Sequence, residues 1–100
     1  MNDVKKIQKM EEILNRAETV FMALEESLEE FEQLLPSLMT LFAYYESDEW
    51  MRHYRMDEEG QFPQNLARGV LSQDAVYHLM MDYYEVQRTM QELGKARRNT

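Results

Sequence analysis

Two sets of side chains in this 100-residue chain have residue types and a spacing that suit metal binding. Both read acid, histidine, acid at positions i, i+4 and i+8: Glu49, His53 and Asp57, and Asp74, His78 and Asp82. Residues at this spacing lie along one face of a helix. Carboxylate and imidazole groups bind divalent metals, and two such faces on neighbouring helices could share an ion. A metal-binding helical module, or a metal-dependent enzyme, is therefore one hypothesis.

Solvated helix faces and internal ion pairs are the competing interpretations of these side chains. With 19 Asp and Glu residues in the chain, a chance match to the spacing is easy. The Glu-x-x-His pairs of di-metal bundles are absent from the sequence. No nucleophile lies beside a base, no Gly-rich phosphate loop is present, and Ser47 and Ser72 are better explained as helix caps. We therefore expect no cofactor and no catalytic residue, and we lean towards a protein that is not an enzyme.

A long first helix, over residues 3–35, is predicted by apolar residues at alternating spacings of three and four. These residues are Ile7, Met10, Leu14, Ala17, Phe21, Leu24, Leu28, Phe31, Leu35 and Leu38. Ile13, Val20 and Leu34 widen the row on one side, and the whole set is called the apolar stripe below. So wide a stripe suits a helical bundle, and either later helices of this chain or a second copy must cover it.

Glutamates follow the other edge of the apolar stripe at intervals of seven residues: Glu11, Glu18, Glu25 and Glu32. This acidic edge is interpreted as a solvated face. The alternative is a docking face whose charge selects a basic protein partner.

Pro36 should kink or break the first helix, because proline lacks the N–H group and its ring clashes with the preceding turn. A separate helix over 37–46 would then follow. Ser47 is a good N-cap for a short helix over 48–58, and Gly60 is placed to end that helix.

The remaining chain predicts a connector and one more helix, so the fold class is an all-α small helical bundle in a single domain, 1–100. The connector, residues 60–71, contains two glycines and a proline but enough apolar side chains to be ordered. Ser72 should cap a C-terminal helix over 73–93. The basic tail, KARRNT, should fray.

An aromatic cluster is predicted from Tyr44, Tyr45, Trp50 and Tyr54, which flank the start of the short helix. Core packing is the favoured interpretation, and an aromatic-lined recognition pocket is the alternative.

The connector should be held down by its own side chains, and Trp50, Phe62, Leu66 and Leu71 are predicted to be buried together against the first helix. Burial of each apolar side chain offsets part of the conformational entropy that the connector loses on ordering. Arg68 should form an ion pair with the acidic residues 57–59.

Three segments of this region, YYESDEW, DEEGQFPQNL and RGVLSQDAVYHL, together with the opening IQKMEEILN, resemble a small bacterial family, domain of unknown function 4298. The family pattern reads YYxSxEW, DExGxxP and RGVLSxDAxYxL, and the resemblance covers Tyr44 to Leu79. It implies no activity. At four positions outside these fixed letters the family has Gly, often Lys, Glu and Asp, where this chain has Glu46, Ala67, Gln73 and His78. A site that needs His78 would therefore not be a family property.

The composition of the chain disfavours some classes of binding partner. The net charge of −8 disfavours nucleic acid and anionic membranes, because like charges repel. The chain has no cysteine and no apolar run long enough for a membrane span, and we expect a cytoplasmic location. The favoured function is a structural or protein–protein interaction role with self-association. The dimer is the favoured oligomer. An acidic mimic of nucleic acid is a further alternative.

Overall fold

The computed structural model describes residues 2–95, and it places them in three α-helices and one short 3₁₀ helix. Helix α1 spans Asn2–Tyr45, α2 spans Asp48–Glu58, the 3₁₀ helix spans Gly69–Leu71 and α3 spans Ala75–Gly94. No strand occurs within residues 2–95, so the all-α prediction is confirmed. The prediction that the tail KARRNT frays concerns residues 96–100 beyond Lys95, which lie outside the described residues.

Pro36 lies inside α1, and the separate helices predicted over 3–35 and 37–46 are replaced by one helix. The missing N–H of a proline removes a single backbone hydrogen bond and costs about 3 kcal/mol in a helix interior. The residues that follow Pro36 bury Leu38 and Phe42. Burial of two large side chains returns roughly 3–6 kcal/mol, which is enough to keep the helix continuous.

The chain divides into a first compact unit that ends at Ser37 and a second that begins at Leu38. In the first unit the helix leaves most of the apolar stripe exposed. Six of its residues are between 42% and 63% exposed: Ile7, Met10, Leu14, Phe21, Leu24 and Leu28. Ile13, Val20 and Leu34, which widen the stripe, are also about half exposed.

The second unit contains all the buried apolar side chains among the described residues: Leu38, Phe42, Trp50, Leu71 and Val76. They come from the end of α1, from α2, from the 3₁₀ helix and from the start of α3. The ring of Phe42 meets Tyr83 of α3 edge to face at 5.7 Å between centroids. This core is small, and each element of the second unit supplies one or two side chains to it.

Local hydrogen bonds set the ends of α2 where the sequence predicts them. The Oγ of Ser47 accepts from the backbone N–H of Trp50 at 3.2 Å, as an N-cap residue does. At the other end, Gly60 has φ +72, in the left-handed region that favours glycine. The N–H of Gly60 donates to Asp57 and that of Gln61 to Met56, both at 3.0 Å. These two bonds form a Schellman motif.

Helix α3 begins at Ala75, two residues later than predicted. Ser72 still acts at this end, because its Oγ accepts from the N–H of Ala75 at 3.2 Å. The backbone between them forms turns before the helix starts. No helix within residues 2–95 combines the length and the apolar character needed to cross a bilayer.

Candidate functional site: an aromatic cluster beside a shallow groove

Trp50 is the centre of the predicted aromatic cluster and is 6% exposed. Its ring meets Tyr45 edge to face at 5.1 Å and stacks on Tyr54 at 5.3 Å between centroids. Its indole Nε1–H donates to the backbone carbonyl of Val70 at 2.9 Å. The indole is therefore packed on both sides, and its one polar atom binds the connector.

The two tyrosines beside Trp50 reach the residues that precede α3. The phenol of Tyr45 donates to the backbone carbonyl of Gln73 at 3.0 Å. The side-chain amide of Gln73 in turn donates to the phenol of Tyr54 at 3.0 Å. With the Val70 bond, these contacts tie the end of α1 and two residues of α2 to the 3₁₀ helix and to the turn that follows it.

Arg68 forms the predicted ion pair with the acidic cluster, and its partner is Asp57. The Nη1 of Arg68 donates to Oδ1 of Asp57 at 2.9 Å, and both side chains are about one-third exposed. Glu58 and Glu59 are exposed, and Glu59 accepts a hydrogen bond from Gln61 instead. The connector is therefore anchored to α2 by one ion pair as well as by the Trp50 bond.

Tyr44 lies apart from the Trp50 stack and pairs with His53. Its phenol oxygen and the Nδ1 of His53 share a hydrogen bond of 2.7 Å. Burial raises the pKa of the Tyr44 phenol above 10.0, and the Glu49 carboxylate raises it further, partly opposed by Arg52. A phenol held in its neutral form is a hydrogen-bonding group here and not a base.

A shallow groove of about 280 Å³ adjoins this pair. Its lining is Tyr44, His53, Phe62, Leu66, Ala67, Val70 and Leu71. The lining is almost entirely apolar, with the Tyr44–His53 pair as its polar part. Such a surface can pack against an apolar group, but it does not present a nucleophile or an acid–base pair.

The prediction of a jointly buried set is correct for two of its four residues. Trp50 and Leu71 are each 6% exposed, and Phe62 is half-buried with its ring near His53. Leu66 is 46% exposed, so its predicted burial is wrong. The N–H of Leu66 donates to Pro63 in a tight turn, which places Leu66 along the groove and not beneath it.

The two acid–histidine–acid sets are not brought together within the described residues. No three His, Asp or Glu side chains among residues 2–95 come close enough to hold an ion. In the first set, His53 is bound to Tyr44 and Asp57 to Arg68, while Glu49 lies 4.0 Å from Arg52. In the second, Asp74 lies just before α3, His78 and Asp82 lie on it, and all three are exposed. Neighbouring side chains of the chain therefore engage the first set, and the metal site stays a prediction.

Several contacts of this site were not predicted from the sequence. The backbone carbonyls of Val70 and Gln73 accept from two aromatic side chains, and a backbone acceptor leaves no trace in residue type. The Gln73 side chain is a surface-type residue with no periodic signal. The contact of Phe42 with Tyr83 could have been found, since each residue lies on the apolar face of its own helix.

Comparison with known proteins finds one related family. A family model described as "Domain of unknown function (DUF4298)" matches residues 7–93, which include all of the described site. No curated protein matches the chain. No solved structure matches it either.

Proposed function

Because the chain belongs to the DUF4298 family, whose description names no activity, we propose a function from the surface that it exposes. The proposal is a structural or protein–protein interaction protein that self-associates, as a dimer, through the apolar stripe of its first unit. A helix of a second copy would cover the stripe.

The observation that supports this proposal is the exposure of large apolar side chains at heptad spacing. Ile7 and Phe21 are each 63% exposed, and Leu14 and Leu24 are 51% exposed. Single exposed leucines are common on protein surfaces, but a continuous apolar row marks an interaction site. Alternation of three and four residues is the spacing that another helix covers by inserting its side chains between them.

The second unit supports an interaction role over catalysis in a different way. Its aromatic side chains and its Arg68–Asp57 pair are used within the chain to hold the connector. The groove beside Tyr44 and His53 has no pair of groups that could activate a nucleophile.

Light scattering after size-exclusion chromatography, from micromolar to millimolar protein, tests the proposal. We expect a mass of two chains that falls towards one chain on dilution. Leu24→Lys should give a single chain at every concentration, because it places a charge within the apolar stripe.

Met22→Lys is the matched control for this experiment. Met22 is also an exposed apolar residue of the same helix, at 73%, but it lies about 100° around the helix from Phe21 and off the stripe. It should associate as the wild type does. A wild-type chain that stays monomeric at millimolar concentration would overturn self-association.

A further inference from the structure

The apolar stripe is asymmetric in three ways that bear on how a second copy would lie on it. Its residues are unequal in size, since the small Ala17 is followed along the stripe by the large Phe21. Its two edges differ, one being apolar at Ile13 and Val20 and the other carrying glutamate at every heptad. Its charge changes along the helix: residues 2–16 carry four basic and three acidic side chains, whereas 17–35 carry six glutamates and no basic side chain.

From these features, and resting on the proposed self-association, we infer that two copies pair through residues 2–37 in antiparallel orientation. In this arrangement Met10 faces Leu28 of the second copy, Leu14 faces Leu24, and Ala17 faces Phe21. Each contact occurs twice because the pair is symmetric.

Side-chain volume favours the antiparallel arrangement. A parallel pair in register places Phe21 against Phe21 and Ala17 against Ala17, so one layer is overfilled and another is left with a void. The antiparallel pair places Ala17 against Phe21 in both of these layers. Tight packing without voids or overlap is what distinguishes stable interiors.

The edges of the apolar stripe favour the same arrangement. In an antiparallel pair each edge meets the same edge of the second copy, so Val20 packs on Val20 and Ile13 lies beside the uncharged Ser27. A parallel pair would instead place Ile13 and Val20 against the glutamate edge. The cost of antiparallel pairing is that the glutamate edge meets itself, so that Glu18 faces Glu18 and Glu11 faces Glu25 twice. These side chains are at the solvent-exposed edge, where like charges repel only weakly.

Charge along the helix also favours antiparallel pairing. It brings the lysine-containing residues 2–16 of one copy beside the acidic residues 17–35 of the other, and Lys9 lies level with Glu30 of the second copy. A parallel pair would align the two acidic segments along their whole length. At physiological salt such charges interact over about 8 Å, which is within the reach of side chains on paired helices.

The register follows from which side chains are available. A shift of one heptad in one direction would require Ile7 to pack on Leu38, which is already buried at 6% exposure in the second unit. A shift in the other direction would place Leu28 against the carboxylate of Asp3. The stated register uses residues of the first unit alone.

Cysteine cross-linking tests the orientation, and the chain has no cysteine of its own. Leu14→Cys and Leu24→Cys proteins, one of them carrying a size tag, are mixed at a concentration where light scattering shows a dimer and are then oxidised. We expect disulfides that join position 14 to position 24, seen as a product of intermediate size on a non-reducing gel. Either variant alone should not cross-link, because equal positions would lie about 15 Å apart.

The outcomes separate the orientation from the self-association. Cross-linking of each variant to itself, with no mixed product, would show parallel pairing and overturn the inference while the proposed function stands. A dimer that forms no disulfide in any mixture would also overturn the stated register. If light scattering shows no dimer, the proposed self-association is itself wrong, and the orientation that rests on it is wrong too.

Glu18→Gln gives a second measurement that does not depend on oxidation. Removal of the facing carboxylates should tighten the dimer about twofold at low salt, in proportion to the weak repulsion of an exposed like-charge pair. Glu12→Gln, an acid at a position away from the apolar stripe, is the control and should leave the dissociation constant unchanged. Weaker association of Glu18→Gln would contradict the antiparallel contact.

Discussion

The first unit and the second unit of this chain use apolar side chains in opposite ways. In the first unit, Leu24 and Leu28 stand at heptad positions and are 51% and 42% exposed. In the second, Leu38 continues the same spacing on the same helix and is 6% exposed. Periodicity therefore indicates that a helix face has a partner, but it does not say whether the partner belongs to the chain.

Polar atoms distinguish the two cases better than apolar spacing does. The aromatic residues of the second unit pair with acceptors of the chain, as Trp50 does with Val70 and Tyr45 with Gln73. The exposed part of the apolar stripe contains no such side chain, since its members are aliphatic, thioether or phenyl groups. Residues that carry both a ring and a polar atom mark the part of this sequence that folds on itself.

The largest expected difference between the two units is the effect of removing one aromatic side chain from each. Trp50→Ala should lower the free energy of unfolding by about 3–5 kcal/mol, because it opens a cavity and leaves the Val70 carbonyl without its donor. Phe21→Ala, at 63% exposure, should change it by less than about 0.5 kcal/mol in dilute protein.

Urea denaturation followed by circular dichroism measures both variants, at a protein concentration below that of association. At higher concentrations, where the chain associates, Phe21→Ala should also lower the part of the unfolding free energy that association contributes. Trp50→Ala should not show this additional loss. If the two variants lost the same unfolding free energy in dilute protein, the two units would not differ in how they use apolar side chains.

A smaller effect is expected at the end of α2, where one backbone conformation holds the connector. Gly60→Ala should lower the free energy of unfolding by about 1–2 kcal/mol, because φ +72 is unfavourable for a residue with a side chain. No atom beyond the two adjacent residues lies within 4 Å of the added Cβ, so the cost comes from the local backbone and not from a clash with the rest of the chain.

Gly94→Ala is the matched control, since its Cβ also meets nothing and its backbone does not require glycine. It should be neutral or slightly stabilising, as alanine is preferred within a helix. Thermal unfolding of the two proteins compares them directly. A Gly60→Ala protein as stable as the wild type would mean that α2 can end in another conformation.

The Arg68–Asp57 ion pair of the connector should contribute less to the free energy of unfolding than Gly60 does. Arg68→Ala is expected to cost under about 1 kcal/mol, because both members of the Arg68–Asp57 pair are partly exposed and screened. Arg88→Ala breaks a pair with Glu85 that is about two-thirds exposed, and it should have no measurable effect. Denaturation is measured at low salt and at 1 M salt. The loss of unfolding free energy in Arg68→Ala should be smaller at 1 M salt. An Arg68 effect that is insensitive to salt would point to packing of its stem instead.

The smallest expected effect is a pH dependence from Tyr44. Its pKa in the folded chain is raised above the ordinary 10.0 by burial and by Glu49. The neutral phenol therefore favours the folded state fully below pH 10, and this stabilisation is lost as the pH rises through the raised pKa.

Tyr44→Phe removes this titration while the other five tyrosines remain. The free energy of unfolding of the wild type should fall more steeply above pH 10 than that of Tyr44→Phe. Denaturation series at closely spaced pH values measure both slopes. Parallel curves for the two proteins would show that Tyr44 titrates alike in the folded and unfolded chain.

Features set by local chemistry were predictable from the sequence. Ser47 and Gly60 act within a few residues of their own positions, so residue type alone located both ends of α2. The pairing of Arg68 with Asp57 was predictable because a cation in an ordered connector needs an acid within reach. Trp50 was predictable as the centre of the site because it is the one tryptophan of the chain.

Features that depend on tertiary contacts were not predictable. The break at Pro36 did not occur, because burial of Leu38 and Phe42 outweighs a local cost that the sequence shows plainly. Leu66 looked like a core residue, but its turn with Pro63 leaves it along the groove. The spacing of His53 along α2 places it on a face with Glu49 and Asp57, but it does not show that the phenol of Tyr44 binds it.

The hydrogen bonds of Trp50 and Tyr45 have a consequence for how this region can change in evolution. Their acceptors are the main-chain carbonyls of Val70 and Gln73, and every amino acid carries that group. A mutation at either acceptor position therefore cannot delete the bond, whereas mutation of Trp50 or Tyr45 can. Selection to keep these two bonds should act on the two donors and not on the identity of the acceptor residues.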